Sequence, residues 1–167
     1  MNKKEKGFSL IELLIVVAII LIIAAIAIPN LLRARMAANE SSAVGSLRTI
    51  NTAEGNYVTS YNHSFAGTLQ ILGGPTIALP VCGQANLIDP VLSAAAQVKS
   101  GYTFAYTPGA ADPGDPNCGS VVTYTTAAKP NQYQSSGVRS FFSDQSGVIR
   151  GGDDAGAYAT VADLPLQ

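Results

Sequence analysis

Glu12 is the residue whose chemistry most needs an explanation. It is a carboxylate with Phe8, Leu10 and Ile11 before it and an unbroken apolar run over residues 13–28 after it. An ionised side chain within an apolar helix costs about 2.5–3.5 kcal/mol at the helix centre on insertion scales. It therefore requires a partner, and with no cation in the run that partner is expected from outside the helix. Few other residues are suited to chemistry. Cys82 and Cys118 can form one disulfide or supply a reactive thiol, but neither has a His or basic activator close in sequence. His63, the sole histidine, sits among turn residues in Asn62-His63-Ser64 and reads as loop surface. Asp144, Asp153 and Asp154 lie among glycine turns, where oxygen donors could hold calcium, although their spacing does not match the helix-flanked calcium loop and solvated turns use the same residues. No nucleophile is accompanied by a base and an orienting group, and no paired carboxylates stand out, so no enzymatic site is expected.

The elements that must carry these residues begin with the apolar segment. About twenty helical residues at 1.5 Å rise span roughly the 30 Å hydrocarbon core of a bilayer. Lys3, Lys4 and Lys6 precede the segment and Arg33 and Arg35 follow it, a bias that favours a cytoplasmic N-terminus. A cleaved secretory signal, with Ala24, Ala25 and Ala27 as its small residues, and an uncleaved signal-anchor both compete for this stretch. Neither accounts for Glu12. Hydrophobic residues make up 47% of the 167-residue chain and charged ones 13%, with a net charge of -1, which excludes a disordered chain and gives no sign of nucleic-acid binding.

The run Lys6-Gly7-Phe8-Ser9-Leu10-Ile11-Glu12-Leu13-Leu14-Ile15-Val16, continued by Ala24-Ala25-Ile26-Ala27-Ile28-Pro29, resembles the prepilin signature of type IV pilins and type II secretion pseudopilins. The resemblance covers about the first quarter of the chain. It implies that a membrane prepilin peptidase cuts on the cytoplasmic side between Gly7 and Phe8, that Phe8 is then N-methylated, and that the apolar helix stays attached. Loss of residues 1–7 removes three lysines and one glutamate and takes the formal charge from -1 to -3. The resemblance further implies that Glu12 meets the cationic amine of Phe8 on a neighbouring subunit during assembly, a pairing that sets register more than it adds stability. The implied partners are further copies of the chain in a helical filament, the peptidase/methylase, a pilus or secretion assembly platform, and the bacterial inner membrane. In the family the helix can extend or unwind near the position of Pro29, where a kink or local melting is expected. Many relatives carry a mid-helix glycine where this chain has Leu21.

Beyond Pro29, Met36, Ala43, Leu47, Ile50, Tyr57 and Tyr61 recur at helical spacing with Val44 and Val58 alongside, so one helix is expected from about residue 8 to residue 61. Its tyrosines are read as core packing with polar tips. Gly45 and Gly55 suggest close packing or bending. A loop-rich stretch over 67–85 leads to a short helix over 91–99, capped by Asp89-Pro90 and stopped by Gly101. Strands are expected at 102–106, 121–126 and 138–143, with a tight turn at 144–147 into a hairpin partner at 148–150. Asn39-Glu40-Ser41 and Asn62-His63-Ser64 match the glycosylation acceptor pattern, which is frequent by chance.

The expected architecture is therefore α+β: a cleaved leader (1–7), a membrane or filament-core helix (8–30), its amphipathic continuation (31–61), and a small antiparallel sheet in a head (62–167). With the head outside the cytoplasm, Cys82 and Cys118 are expected to form a disulfide. No cofactor is expected beyond the calcium candidates. Two functions of this structural class are weighed, and the pilus subunit is favoured over its alternative. One is a major pilin of a surface fibre for adhesion or twitching motility. The other is a major pseudopilin of a periplasmic secretion pseudopilus. An anchored enzyme or binding module is the rival from another class.

Overall fold

In the computed structural model of the chain, residues 8–61, 64–74, 80–113 and 118–166 are described. The leader with Gly7, and the Asn62-His63 pair, lie outside them. The chain divides into two units, Met1–Arg35 and Met36–Gln167. Helix α1 (Leu10–Tyr61, 52 residues) contributes its N-terminal part to the first and the remainder to the second.

In the first unit α1 carries an 18-residue window of mean hydropathy 3.3 with none of it buried, which makes it long and apolar enough to cross a membrane. The helix is unbroken through Pro29. Local melting is thus absent at this position, although proline still removes the N–H that would bond the Ala25 carbonyl.

In the second unit, Ala43, Leu47, Ile50, Ala53 and Tyr57 of α1 are buried in the core. Gly45 and Gly55 lie on the exposed side, with no atom within 4 Å of where a Cβ would stand, so close packing within the chain is not their reason. Short helices α2 (Leu69–Leu72) and α3 (Pro90–Ser93) follow, then a five-stranded antiparallel sheet. Its strands are β1 (Val98–Lys99), β2 (Tyr102–Pro108), β3 (Tyr124–Pro130), β4 (Ser140–Asp144) and β5 (Arg150–Gly152), in spatial order of sequence. One row of the register alternates large and small: Phe104, Ala128, Phe141 and Gly151. A Cβ on Gly151 would stand 2.8 Å from the Phe141 ring, so the edge strand needs glycine there.

Three sequence expectations need correction. The helix over 91–99 is only one turn. Asp89 does cap it, accepting from the amides of Val91 and Leu92, but Ala94 turns extended and Val98-Lys99 pair with Tyr102-Thr103 instead. Ser100 and Gly101, both with positive φ, form the two-residue hairpin turn, so Gly101 closes a hairpin rather than stopping a helix. An ion pair of Lys99 with Asp89 at 2.8 Å ties this hairpin back to the helix cap. The second strand is displaced: Val121 makes bridges with Phe65 and Ala111, and β3 starts at Tyr124 and runs on to Pro130. Finally, the tight turn at 144–147 is present, with the Gly147 amide donating to the Asp144 carbonyl at 2.9 Å, but its hairpin partner β5 starts later than expected and occupies 150–152.

Polar anchors hold α1 to the rest of the second unit. Asn39 donates to the Ser136 carbonyl at 2.8 Å, which engages the side chain a glycosylation would need. Glu40 accepts from the amides of Val138 (2.9 Å) and Arg139 (3.2 Å) and from the Arg139 guanidinium (3.0 Å). Asn51 donates to the Ser143 hydroxyl and accepts from the Tyr124 hydroxyl. Burial works against the Glu40 charge, but the two amides and Arg139 outweigh it and hold its pKa below the ordinary glutamate value. Because the folded pKa is depressed, this stabilisation is present above about pH 4.5 and is lost as pH falls through the folded value. Glu40→Ala strands two amides and is expected to cost about 1–3 kcal/mol. Urea unfolding at pH 7 and at pH 3.5 checks it: the gap between wild type and variant should narrow at the lower pH, and an equal gap at both would contradict the assignment.

Candidate assembly and processing site

The site proper lies at the start of α1. Phe8 is 87% exposed, and Leu10, Ile11, Leu13 and Leu14 are each 60% exposed or more. Leu10, Leu13, Leu14 and Val17 line an open apolar groove. No described residue of the first unit covers this surface, an apolar face of the kind that lipid or a protein partner covers.

Glu12 is not without a partner inside its own helix, contrary to the sequence expectation. The Ser9 amide donates to its Oε2 at 2.9 Å, while the Leu13 amide bonds the Ser9 carbonyl. Ser9-Leu10-Ile11-Glu12 thus forms the side of a capping box in which the third-position glutamate reaches back to the N-cap amide. The positive end of the helix dipole favours the same carboxylate. Cleavage after Gly7 would leave this amide intact, because the new amine is on Phe8. The other carboxylate oxygen, Oε1, has no hydrogen bond to a described residue.

Cys82 and Cys118 are joined as a disulfide, with Cα atoms 5.4 Å apart. It fastens the loop before α3 to the segment before β3. The Tyr57 hydroxyl donates to the Cys82 carbonyl at 2.9 Å, so the tyrosine of the apolar stripe does pack in the core with its tip satisfied.

The three acidic candidates are not brought together. Asp144 ends β4 and accepts from the Ser146 amide and hydroxyl. Ser140, four residues earlier, is the partner of Gly152, which puts Asp144 about 13 Å along the strand from the Asp153 end. Asp153 accepts from the Tyr133 hydroxyl and the Ala155 amide. Asp154 is instead near Asp163, which the sequence reading missed; burial first, then Asp163 and Asp153, push its pKa up. Among the described residues no group of three or more His, Cys, Asp or Glu is placed to hold a metal.

A second residue missed from sequence is Glu54, wholly buried in the core. The signal was available, because Glu54 follows Ile50 by four residues and precedes Tyr57 by three, on the apolar stripe itself.

A long helix with an uncovered apolar N-terminal part, together with a small antiparallel sheet, makes an α+β pilin fold. The family described as the prokaryotic N-terminal methylation motif matches residues 2–28. The chain is similar to the type IV major pilin protein PilA of Myxococcus xanthus, at 46% identity over 56 residues, 34% of this chain and 26% of that protein. It is also similar to the type IV wide pilus major component PilA4 of Thermus thermophilus, at 64% identity over 39 residues, 23% of this chain and 30% of that protein. No solved structure matches. The motif and these relatives support assignment of the chain to the type IV pilin family. The chain spans about a quarter to a third of the length of the curated relatives it matches.

Proposed function

We propose that this chain is a structural subunit of a type IV pilus fibre. Before assembly it is held in the bacterial inner membrane by the helix over 8–30, with its N-terminus cytoplasmic. The prepilin peptidase cuts between Gly7 and Phe8 and methylates Phe8, and an assembly platform then stacks the subunits into a helical homopolymer. The observation that carries this reading is the uncovered apolar start of α1 inside a matched methylation motif. An apolar helix that leaves lipid must be covered by something else, and identical helices in a common core do so without closing the assembly. Glu12 then pairs with the Phe8 amine of a neighbour, and Pro29 allows the helix to adjust within the fibre.

Both relatives are named as pilus components, which favours the pilin over the secretion pseudopilin and supports a non-enzymatic role. Calcium binding in the late loop is not part of this proposal. A chain lacking residues 8–30 tests it. That protein is expected to fold with its disulfide intact and to be absent from sheared surface fibres, whereas its recovery in fibres at the level of the full chain would overturn the reading.

A further inference from the structure

Glu54 is buried, and among the described residues no cation lies beside it. The two ion pairs among the described residues are Lys99–Asp89 and Arg139–Glu40, and neither reaches it. Two contacts reach its carboxyl, and a third joins the two residues that make them. The Tyr106 hydroxyl of β2 lies 2.6 Å from Oε1, and that same hydroxyl lies 2.5 Å from the Ala66 carbonyl. The Ala66 amide donates to Oε2 at 2.9 Å.

Counting protons decides the charge. A tyrosine hydroxyl has a single proton, whereas a carboxylate and a carbonyl are acceptors only. With Glu54 ionised, one of the two short O···O contacts has no proton in it and sets lone pairs against each other. With the proton on Oε1 every contact is served: Glu54 donates to Tyr106, Tyr106 donates to the Ala66 carbonyl, and the Ala66 amide donates to Oε2. We propose that Glu54 is held as a neutral carboxylic acid, and that its proton is a switch fastening β2 and the segment after α1 to the helix.

Burial supports the same assignment, pushing the Glu54 carboxyl up to about 7 against the pull of Tyr106 and Ala66 in the other direction. Among the described residues, the titratable groups facing it are phenols. Tyr57 is on its own helix, Tyr106 is on β2, and Tyr124 on β3 stacks on Tyr106 with ring centroids 5.6 Å apart. Burial and then the Glu54 charge raise Tyr106 and Tyr124 far above the neutral range. Asp144 acts on Tyr124 from β4, and Asp112 accepts from Ser64 beside the segment after α1. His63 lies outside the described residues, so the test is run with it replaced. Since the folded pKa of Glu54 is raised, its contribution to stability is complete below about pH 4.5 and is lost as pH rises through about 7.

The test uses the full chain in detergent micelles carrying His63→Gln, with glutamate labelled at the side-chain carboxyl carbon. The chain has four glutamates, Glu5, Glu12, Glu40 and Glu54, and the signal lost in Glu54→Gln identifies the fourth. Its titration midpoint is expected at about 7; a midpoint in the ordinary carboxylate range would overturn the proposal. The melting temperature of the parent should fall between pH 5 and pH 8, while that of Glu54→Gln should stay level. The amide of the variant can donate to Tyr106 and accept from Ala66 at any pH, so an equal fall in both proteins would also overturn it. Should Glu54→Gln not fold, Glu5→Gln, Glu12→Gln and Glu40→Gln identify the Glu54 signal by elimination.

Discussion

Glu12→Gln is expected to be excluded from fibres by a factor of about a hundred to a few thousand when it competes with the unaltered chain in one cell. The glutamine can still accept from the Ser9 amide, so the helix start survives and the chain still inserts. What it lacks is the charge, and a cationic amine left unpaired in an apolar bundle costs about 3–5 kcal/mol. Each 1.4 kcal/mol is a factor of about ten in the equilibrium. Glu12→Leu should be excluded at least as strongly and should lose the cap as well, worth about 1 kcal/mol. The ratio of variant to wild-type mass in sheared fibres, set against the ratio in membranes, measures both. If Glu12→Gln enters fibres as readily as wild type and only Glu12→Leu fails, Glu12 serves as a helix cap and its pairing across subunits is wrong.

Opening the Cys82–Cys118 bond is expected to have the largest effect on the second unit. The cysteines are 36 residues apart, and closing a loop of that length is worth about 4 kcal/mol in the chain-entropy account. For a unit of this size that corresponds to a fall of roughly 10–15 °C in melting temperature. Thermal unfolding of the Cys82→Ser/Cys118→Ser chain should show the fall, and a reductant should lower the wild type to the same value without affecting the variant. A change of less than about 2 °C would mean that the Tyr57–Cys82 contact and the core hold this loop without the bond.

The parts of the fold legible in the sequence are those in which local preference and burial agree. The apolar run, the helical stripe ending at Tyr61 and the aromatic β2 and β4 segments carry periodicity strong enough to place them. Residues 91–99 read as a helix because Ala94, Ala95 and Ala96 favour one, yet Val98-Lys99 gain more from pairing with β2 across a Ser-Gly turn. Ala127 to Pro130 have little strand preference of their own and are extended because each faces a residue of β2. Pro130 closes the strand, where the absence of an N–H is tolerated. At the candidate site, the Ser9-to-Glu12 spacing was readable as a capping box but was obscured by the apolar run around it. Glu54 was hidden by its type, because a carboxylate on a core stripe is expected only if something protonates or pairs it. Asp163 approaches Asp154 by the path of the C-terminal segment, which no local pattern announces.

The most direct test of the central claim is the intact mass of this protein recovered from sheared surface fibres and, separately, from membranes. The account predicts a fibre-borne chain that begins at N-methylated Phe8 and is two hydrogens lighter than its reduced form. A chain still beginning at Met1, or one cut after the apolar run, would contradict it, as would a processed chain found in membranes and never in fibres.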